Sequence, residues 1–293
     1  MHKYLRAVGF SDIKLKKDLK PYIREIIMAP DSTEIAEDDG EDIFVQIYKE
    51  YADGMGLMLC GLVNDKDEFE LEYYYPQFNG TGITSKEDII VEGHAEKESY
   101  AGVCEDVKVG VSLIFYLQNV CEYKNERRLK PVRSVGTDTT LSALSLSGKI
   151  LFPIDKTEQQ IKVTKEATKN RNNLIEAARK GDEDAIESLT LEDMDTYSMI
   201  SRRILKEDIL SLVDNYFMPY GVECDKYSIL GEIEDWNLVK NKSTGEEVYR
   251  LTVNTNELIF DVCINKVDLL GEPAIGRRFK GTIWLQGKIN YQR

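Results

Sequence analysis

The sequence predicts an α+β fold in three parts: an N-terminal mixed or antiparallel sheet domain with one helix (1–154), a helical connector (155–223), and a C-terminal small β-barrel, OB-like (224–293). Three observations predict it. Runs rich in β-branched and aromatic residues, broken by Gly, Asp and Asn, follow one another from Asp42 to Phe152. Between Asp155 and about Tyr216 the apolar spacing changes to the helical period. After Cys224, four long strand-like runs are joined by short turns, with Gly231, Gly281 and Gly287 where a curving sheet needs them.

The elements follow in order. YLRAVGF reads as a short strand. In LKKDLKPYIREIIMAP, Leu15, Leu19, Tyr22, Ile23, Ile26 and Ile27 recur at helical spacing. A proline suits the first turn and breaks an interior, so this helix is expected to begin between Lys17 and Pro21. The acidic stretch DSTEIAEDDGED, Asp31 to Asp42, has no periodicity and is expected to be a surface loop. FVQIYKEY, GLMLCGLV, FELEYYYPQF, DIIVEGHA, SYAGVCEDV, GVSLIFYLQNVCEY and ALSLSGKILFPI are expected strands, with GVSLIFYLQNV a central one covered on both faces. KEATKNRNNLIEAARKG is a helix stopped by Gly181, after which Asp182 caps DEDAIESL. Thr190 offers a second capping hydroxyl in TLEDMDTYSMISRRILKED. ILSLVDNYF suits helix or strand, and the spacing of Ile209, Leu212, Val213, Tyr216 and Phe217 favours helix. YSILGEIEDW, EEVYRLTVN, ELIFDVCI and RRFKGTIWLQGKINY complete the chain as strands, with turns at NKSTGE and NTNE.

Composition narrows the function classes. The net charge of −14 repels a free polyanion at long range, which disfavours non-specific binding to nucleic acid or an anionic membrane. No apolar run approaches the roughly 18 residues that a spanning helix needs. The N-terminal MHKYLRAVGFSDIKLKK has no apolar core of signal-peptide length, so a cytoplasmic protein is expected. The five cysteines, Cys60, Cys104, Cys121, Cys224 and Cys263, are widely spaced and mostly sit in apolar runs, the pattern of reduced buried thiols rather than disulfides or zinc ligands.

Several long blocks carry a resemblance. They are MHKYLRAVGF, HAEKESYAGVCEDVKVGVSLIFYLQN, KGDEDAIESLTLEDMDTYSMISRRI, FMPYGVECDKYSILGEI, LIFDVCINK and GEPAIGRRFKGTIWLQGKI. Together the chain resembles, from end to end, a bacterial family of whole-chain domains of unknown function, seen mainly in anaerobic Gram-positive bacteria. The resemblance implies a cytosolic bacterial protein. The family has no assigned activity, so it transfers no cofactor and no site residue.

Catalysis needs titratable or nucleophilic groups brought together, and the chain has two histidines, too few for an HExxH or three-histidine zinc site. His2 is terminal and expected to be solvated. Glu92, His94 and Glu96 alternate in VEGHAE and could form a polar row on one strand face, able to hold a cation or move a proton, or simply facing solvent. If a hairpin turns near Lys97, His94 faces Tyr100 and lies roughly 13 Å from Cys104, too far to activate the thiol. The glycines of DGMGLMLCG and NGTGITSKED fit no phosphate-binding pattern, and Ser85 is explained by a local cap or turn. No GxSxG elbow occurs.

GRRFKGTIWLQGKI raises a sharper question. Alternation sends Phe279, Ile283, Leu285 and Ile289 to a core face, and Arg278, Lys280, Thr282, Trp284, Gln286, Lys288 and Asn290 to the other. Trp284 among Arg278, Lys280 and Lys288 is an arrangement that stacks a base while cations follow phosphates. Against that, the segment 224–293 carries ten basic and ten acidic residues, so cross-strand pairs can absorb the cations, and Trp284 is a natural contact for the helical segment. Packing is the weightier reading.

With no catalytic constellation, the leading expectation is a non-enzymatic cytosolic binding or scaffold protein with a protein partner. The alternatives are a metabolite- or metal-binding protein or enzyme using an inter-domain cleft, and single-stranded nucleic-acid binding by the barrel. No cofactor and no metal site is indicated, and the sequence sets no oligomeric state.

Overall fold

The computed structural model describes residues 2–37, 43–64, 68–93, 99–106, 108–109, 111–129, 138–154, 158–203, 210 and 213–291. The first element is a 3-10 turn, Lys3–Val8, rather than a strand. Tyr4, Leu5, Ala7 and Val8 are all buried, a spacing that a one-turn helix satisfies and an alternating strand does not. Gly9, at φ +84°, ends it in the left-handed region, where its N–H donates back to Arg6.

Helix α1, Lys16–Met28, starts earlier than expected because the Asp18 carboxylate accepts the N–H of Leu15 at 2.9 Å. Pro21 therefore lies in the second turn, where it has no N–H for the Lys17 carbonyl. Four strands follow as an antiparallel meander: β1 (Ser32–Glu37), β2 (Ile43–Ala52), β3 (Met55–Val63) and β4 (Phe69–Phe78). The expected acidic loop is thus a strand over its first half, paired in register from Ser32↔Tyr48 to Glu37↔Ile43. The pairing, not its own side chains, holds β1, since Ala36 alone of its six residues is buried. Residues 38–42 lie outside the described residues.

Strands β5 (Ile89–Gly93), β6 (Tyr100–Cys104) and β7 (Leu113–Leu117) form a second antiparallel run. The long apolar run predicted as one strand divides after Leu117, because Val120–Leu129 is helix α2. β7 does lie centrally, between β6 and the last strand of the chain.

The barrel is built from β8 (Asp138–Leu151), β10 (Lys226–Lys240), β11 (Glu247–Thr255), β12 (Leu258–Asn265) and β14 (Arg278–Asn290). Around it the order is β8-β12-β11-β10-β14, and β14 closes on β8 from Arg278↔Leu151 to Asn290↔Asp138. β8–β12 is parallel and the other four pairings are antiparallel. This is a three-strand meander closed by two strands from outside it, the Greek-key logic of an OB barrel with one closing strand moved to the front of the chain. The barrel therefore draws one wall from the segment 1–154. At the seam Gly148 faces Gly281, and a Cβ at either would press into the Phe279 ring, at 2.4 and 2.6 Å. β13 (Leu269–Leu270) pairs in parallel with β8 at Gly148 and Lys149, and β7 joins β14 in parallel at Gln286 and Gly287.

Between β8 and β10 stand α3 (Glu158–Arg179) and α4 (Glu183–Arg203). Gly181, at φ +88°, turns the chain between them, and Asp182 accepts the Ala185 N–H at 3.1 Å as the cap. Thr190 caps nothing: it lies inside one continuous α4 and its hydroxyl donates to the Ile186 carbonyl. Tyr216 and Phe217 are strand, not helix, in β9 (Tyr216–Pro219), whose edge pairing with β10 decides what periodicity could not. Ile209 and Leu212 lie outside the described residues. Among the described residues, no helix is long and apolar enough to cross a membrane.

Candidate functional site

The four β14 residues read as a contact face separate into two kinds. Trp284 is 5% exposed. Its ring stacks on Tyr4 at 5.2 Å between centroids, with His2 at 4.8 Å and Tyr116 at 5.3 Å, and its indole N–H donates to Asp225 at 2.6 Å. The cover over Trp284 therefore includes the N-terminal 3-10 turn, a contact that the sequence assigned to the helical connector. Arg278 is also buried. Its guanidinium donates to the carbonyls of Phe152 at 3.0 Å, Leu210 at 3.0 Å and Val213 at 2.9 Å. Burial lowers its pKa, opposed by Asp214. A guanidinium so engaged joins the barrel to the connector.

Lys280 is partly exposed, with Lys149 opposite it on β8 and Leu230 opposite it on β10. Lys288 is exposed and lines a small pocket facing β1. Of the polar row, Glu92 is exposed on β5 opposite Ala101, while His94 and Glu96 lie outside the described residues. The β5–β6 hairpin is offset by one residue from the expected register, since Gly93 and not His94 faces Tyr100. Cys104 is buried opposite Ile89, and burial pushes its thiol up to about 11, the reverse of an activated nucleophile. Ser85 serves a local turn by accepting the Glu87 N–H, but it also donates to the buried Asp106 at 2.7 Å. Among the described residues, no group of three or more His, Cys, Asp or Glu side chains could hold a metal ion.

A cleft of about 990 Å³ opens between α3 and the barrel. Arg171 and Asn172 of α3 face Glu232 and Glu234 of β10 across it, and Asn256 and Glu257 stand on its rim. Those two residues have φ of +53° and +64°, the hairpin-turn conformation that right-handed twist favours and that side chains resist. Beyond the cleft, α4 is the outer helix. Arg171 ties it to α3 through Glu192 at 3.3 Å and Asp193 at 2.7 Å. α4 leaves Ile186, Leu191, Met194 and Tyr197 exposed, Met194 at 62% and Tyr197 at 76%. Sequence reasoning passed over this stripe, although its helical spacing was there to find.

His2 is partly buried instead of solvated, and its pKa falls to about 4, chiefly through burial and then through the neighbouring charge of Lys3. A histidine held neutral by the fold is protonated first in the unfolded chain. Its contribution is therefore complete above the ordinary pKa of 6.5 and is lost as pH falls from there toward 4. A His2→Phe variant, which keeps a ring against Trp284, is expected to lose less stability than the wild type over that window in paired thermal melts. Parallel pH profiles would show that His2 does not titrate with folding.

A family model described as a domain of unknown function, E. rectale gene description (DUF3881), matches residues 5–287. No curated protein and no solved structure matches the chain. With nearly its whole length covered, the chain belongs to the DUF3881 family of domains of unknown function.

Proposed function

We propose that the protein is a non-enzymatic binding protein of the cytoplasm that docks a partner protein on the outward face of α4. The observation that carries this reading is the stripe of Ile186, Leu191, Met194 and Tyr197, each a large apolar side chain left exposed. An amphipathic helix that turns an apolar stripe outward loses the benefit of burying it until something covers it. By helical position Glu183 and Glu187 fall among these side chains, so the matching surface is apolar with lysines or arginines set within it.

The test compares cross-linked, affinity-captured proteins from cells carrying tagged wild type or a Met194→Glu/Tyr197→Glu double variant. Both side chains are exposed, so thermal stability is expected to be unchanged. One or a few proteins should fall about thirtyfold or more with the variant, the size of a lost hot spot. Rebinding of the purified partner would then show the same loss. An identical captured set from both proteins would contradict the reading.

A further inference from the structure

A second, smaller cavity of about 330 Å³ lies where the meander meets the barrel. Its walls come from β1, Tyr48 of β2, Met58 of β3, the end of β4, the junction before α2, and the paired strands β8 and β14. The lining is mainly polar, with Met58 and Tyr48 also in it, and its neutral polar part is dominated by carboxamides, among them Gln77, Asn79 and Asn119. Most of these are engaged. Asn119 bonds both ways with the Ile289 backbone, and Asn79 accepts from Gln77 at 2.8 Å.

Gln77 is the exception. It is 7% exposed, and its Oε1 has no hydrogen-bond partner among the described residues. A buried carbonyl left unpaired costs free energy, which a bound N–H recovers once a small shift of the wall lets it reach the oxygen. Two opposite charges share the same cavity, Glu34 from β1 and Lys288 from β14. They feel each other across it: partial burial raises the Glu34 carboxyl above its ordinary range, and Lys288 opposes that rise while Glu122 adds to it. The volume is at the small end of the range for ligand pockets. One fixed anion, one fixed cation and an unpaired acceptor among neutral amides match a small molecule that carries both charges itself.

We propose that this cavity binds a free α-amino acid, its ammonium toward Glu34 and the Gln77 carbonyl and its carboxylate toward Lys288. This site is separate from the face of α4 and goes beyond the docking function. An apolar ligand would find only Met58 and the Tyr48 ring to bury against, and a bare divalent cation would meet a single carboxylate beside a lysine.

The experiment measures thermal stability of the full chain with each of the twenty L-amino acids in turn, and with glucose and glycerol as uncharged polar controls. At a hundredfold excess over Kd, a bound amino acid is expected to raise the Tm by about 5 °C. Calorimetric titration with the amino acid that shifts the Tm then gives its Kd. Glu34→Gln and Lys288→Gln replace exposed rim residues, so their ligand-free Tm should match the wild type while each weakens binding at least about tenfold. No shift with any amino acid at 10 mM (about the weakest useful affinity) would overturn the proposal. So would equal shifts with glucose or glycerol, or wild-type affinity in both variants.

Discussion

Replacing Trp284 with alanine is expected to cost the fold about 4 kcal/mol, near the upper end for a single large-to-small change. The indole fills the space between β14 and the N-terminal turn, and it touches three rings, those of His2, Tyr4 and Tyr116. Its removal empties that space and leaves the Asp225 carboxylate without the indole N–H, so a cavity and a lost charge-assisted hydrogen bond act together. Trp284→Phe separates the two, because it keeps most of the packing and loses the hydrogen bond. Urea unfolding of the three proteins measures both. A loss under about 1 kcal/mol for alanine would mean that the ring is not packed as described.

A Gln286→Leu variant is the second large expected loss, on the order of 3 kcal/mol or more. Gln286 is fully buried at the meeting of the two sheets. Its Oε1 accepts the N–H of Phe78 at 3.1 Å and the Gln118 side chain at 2.9 Å, while its Nε2 donates to the Pro76 carbonyl at 2.9 Å. The Gln118 carbonyl in turn accepts from Gln46, whose own carbonyl receives the Cys121 N–H. Leucine has nearly the same volume, so no cavity arises; what is lost is the pairing of buried polar groups on both sides of the seam. Gln286→Glu would test the polarity separately, since it keeps the acceptor and loses the donor. If Gln286→Leu unfolds at the wild-type urea concentration, the amides do not hold the sheets together.

What could be read from the sequence follows from which interactions are local. The helical period of α3, the cap at Asp182 and the inward set Phe279, Ile283, Leu285 and Ile289 depend on near neighbours, and the structure has them. The barrel's closure does not, because β8 and β14 are separated by more than a hundred residues and only their ladder shows that they pair. The same distance hid the cover over Trp284. Alternation rightly put Trp284 opposite the core face, but it cannot say that Tyr4 lies on that second face. Gln286 reads as a surface amide for the same reason. β1 escaped notice because an edge strand held by one ladder needs no apolar pattern. The polar cavity is assembled from seven separated segments, so its chemistry has no trace in any one of them.

Because Trp284 and Arg278 are packed against other parts of the chain, the contacts proposed above lie on α4 and in the polar cavity rather than on an open face around Trp284. That inference can be checked with one signal. The sequence has two tryptophans, and changing the 39% exposed Trp236 to phenylalanine leaves Trp284 as the only emitter. The account predicts blue-shifted Trp284 emission that acrylamide quenches slowly, as for an indole enclosed by His2, Tyr4 and Tyr116. Red-shifted emission with rapid quenching would contradict it, and would place Trp284 beside the partly exposed Lys280 and the exposed Lys288 on an open cationic face.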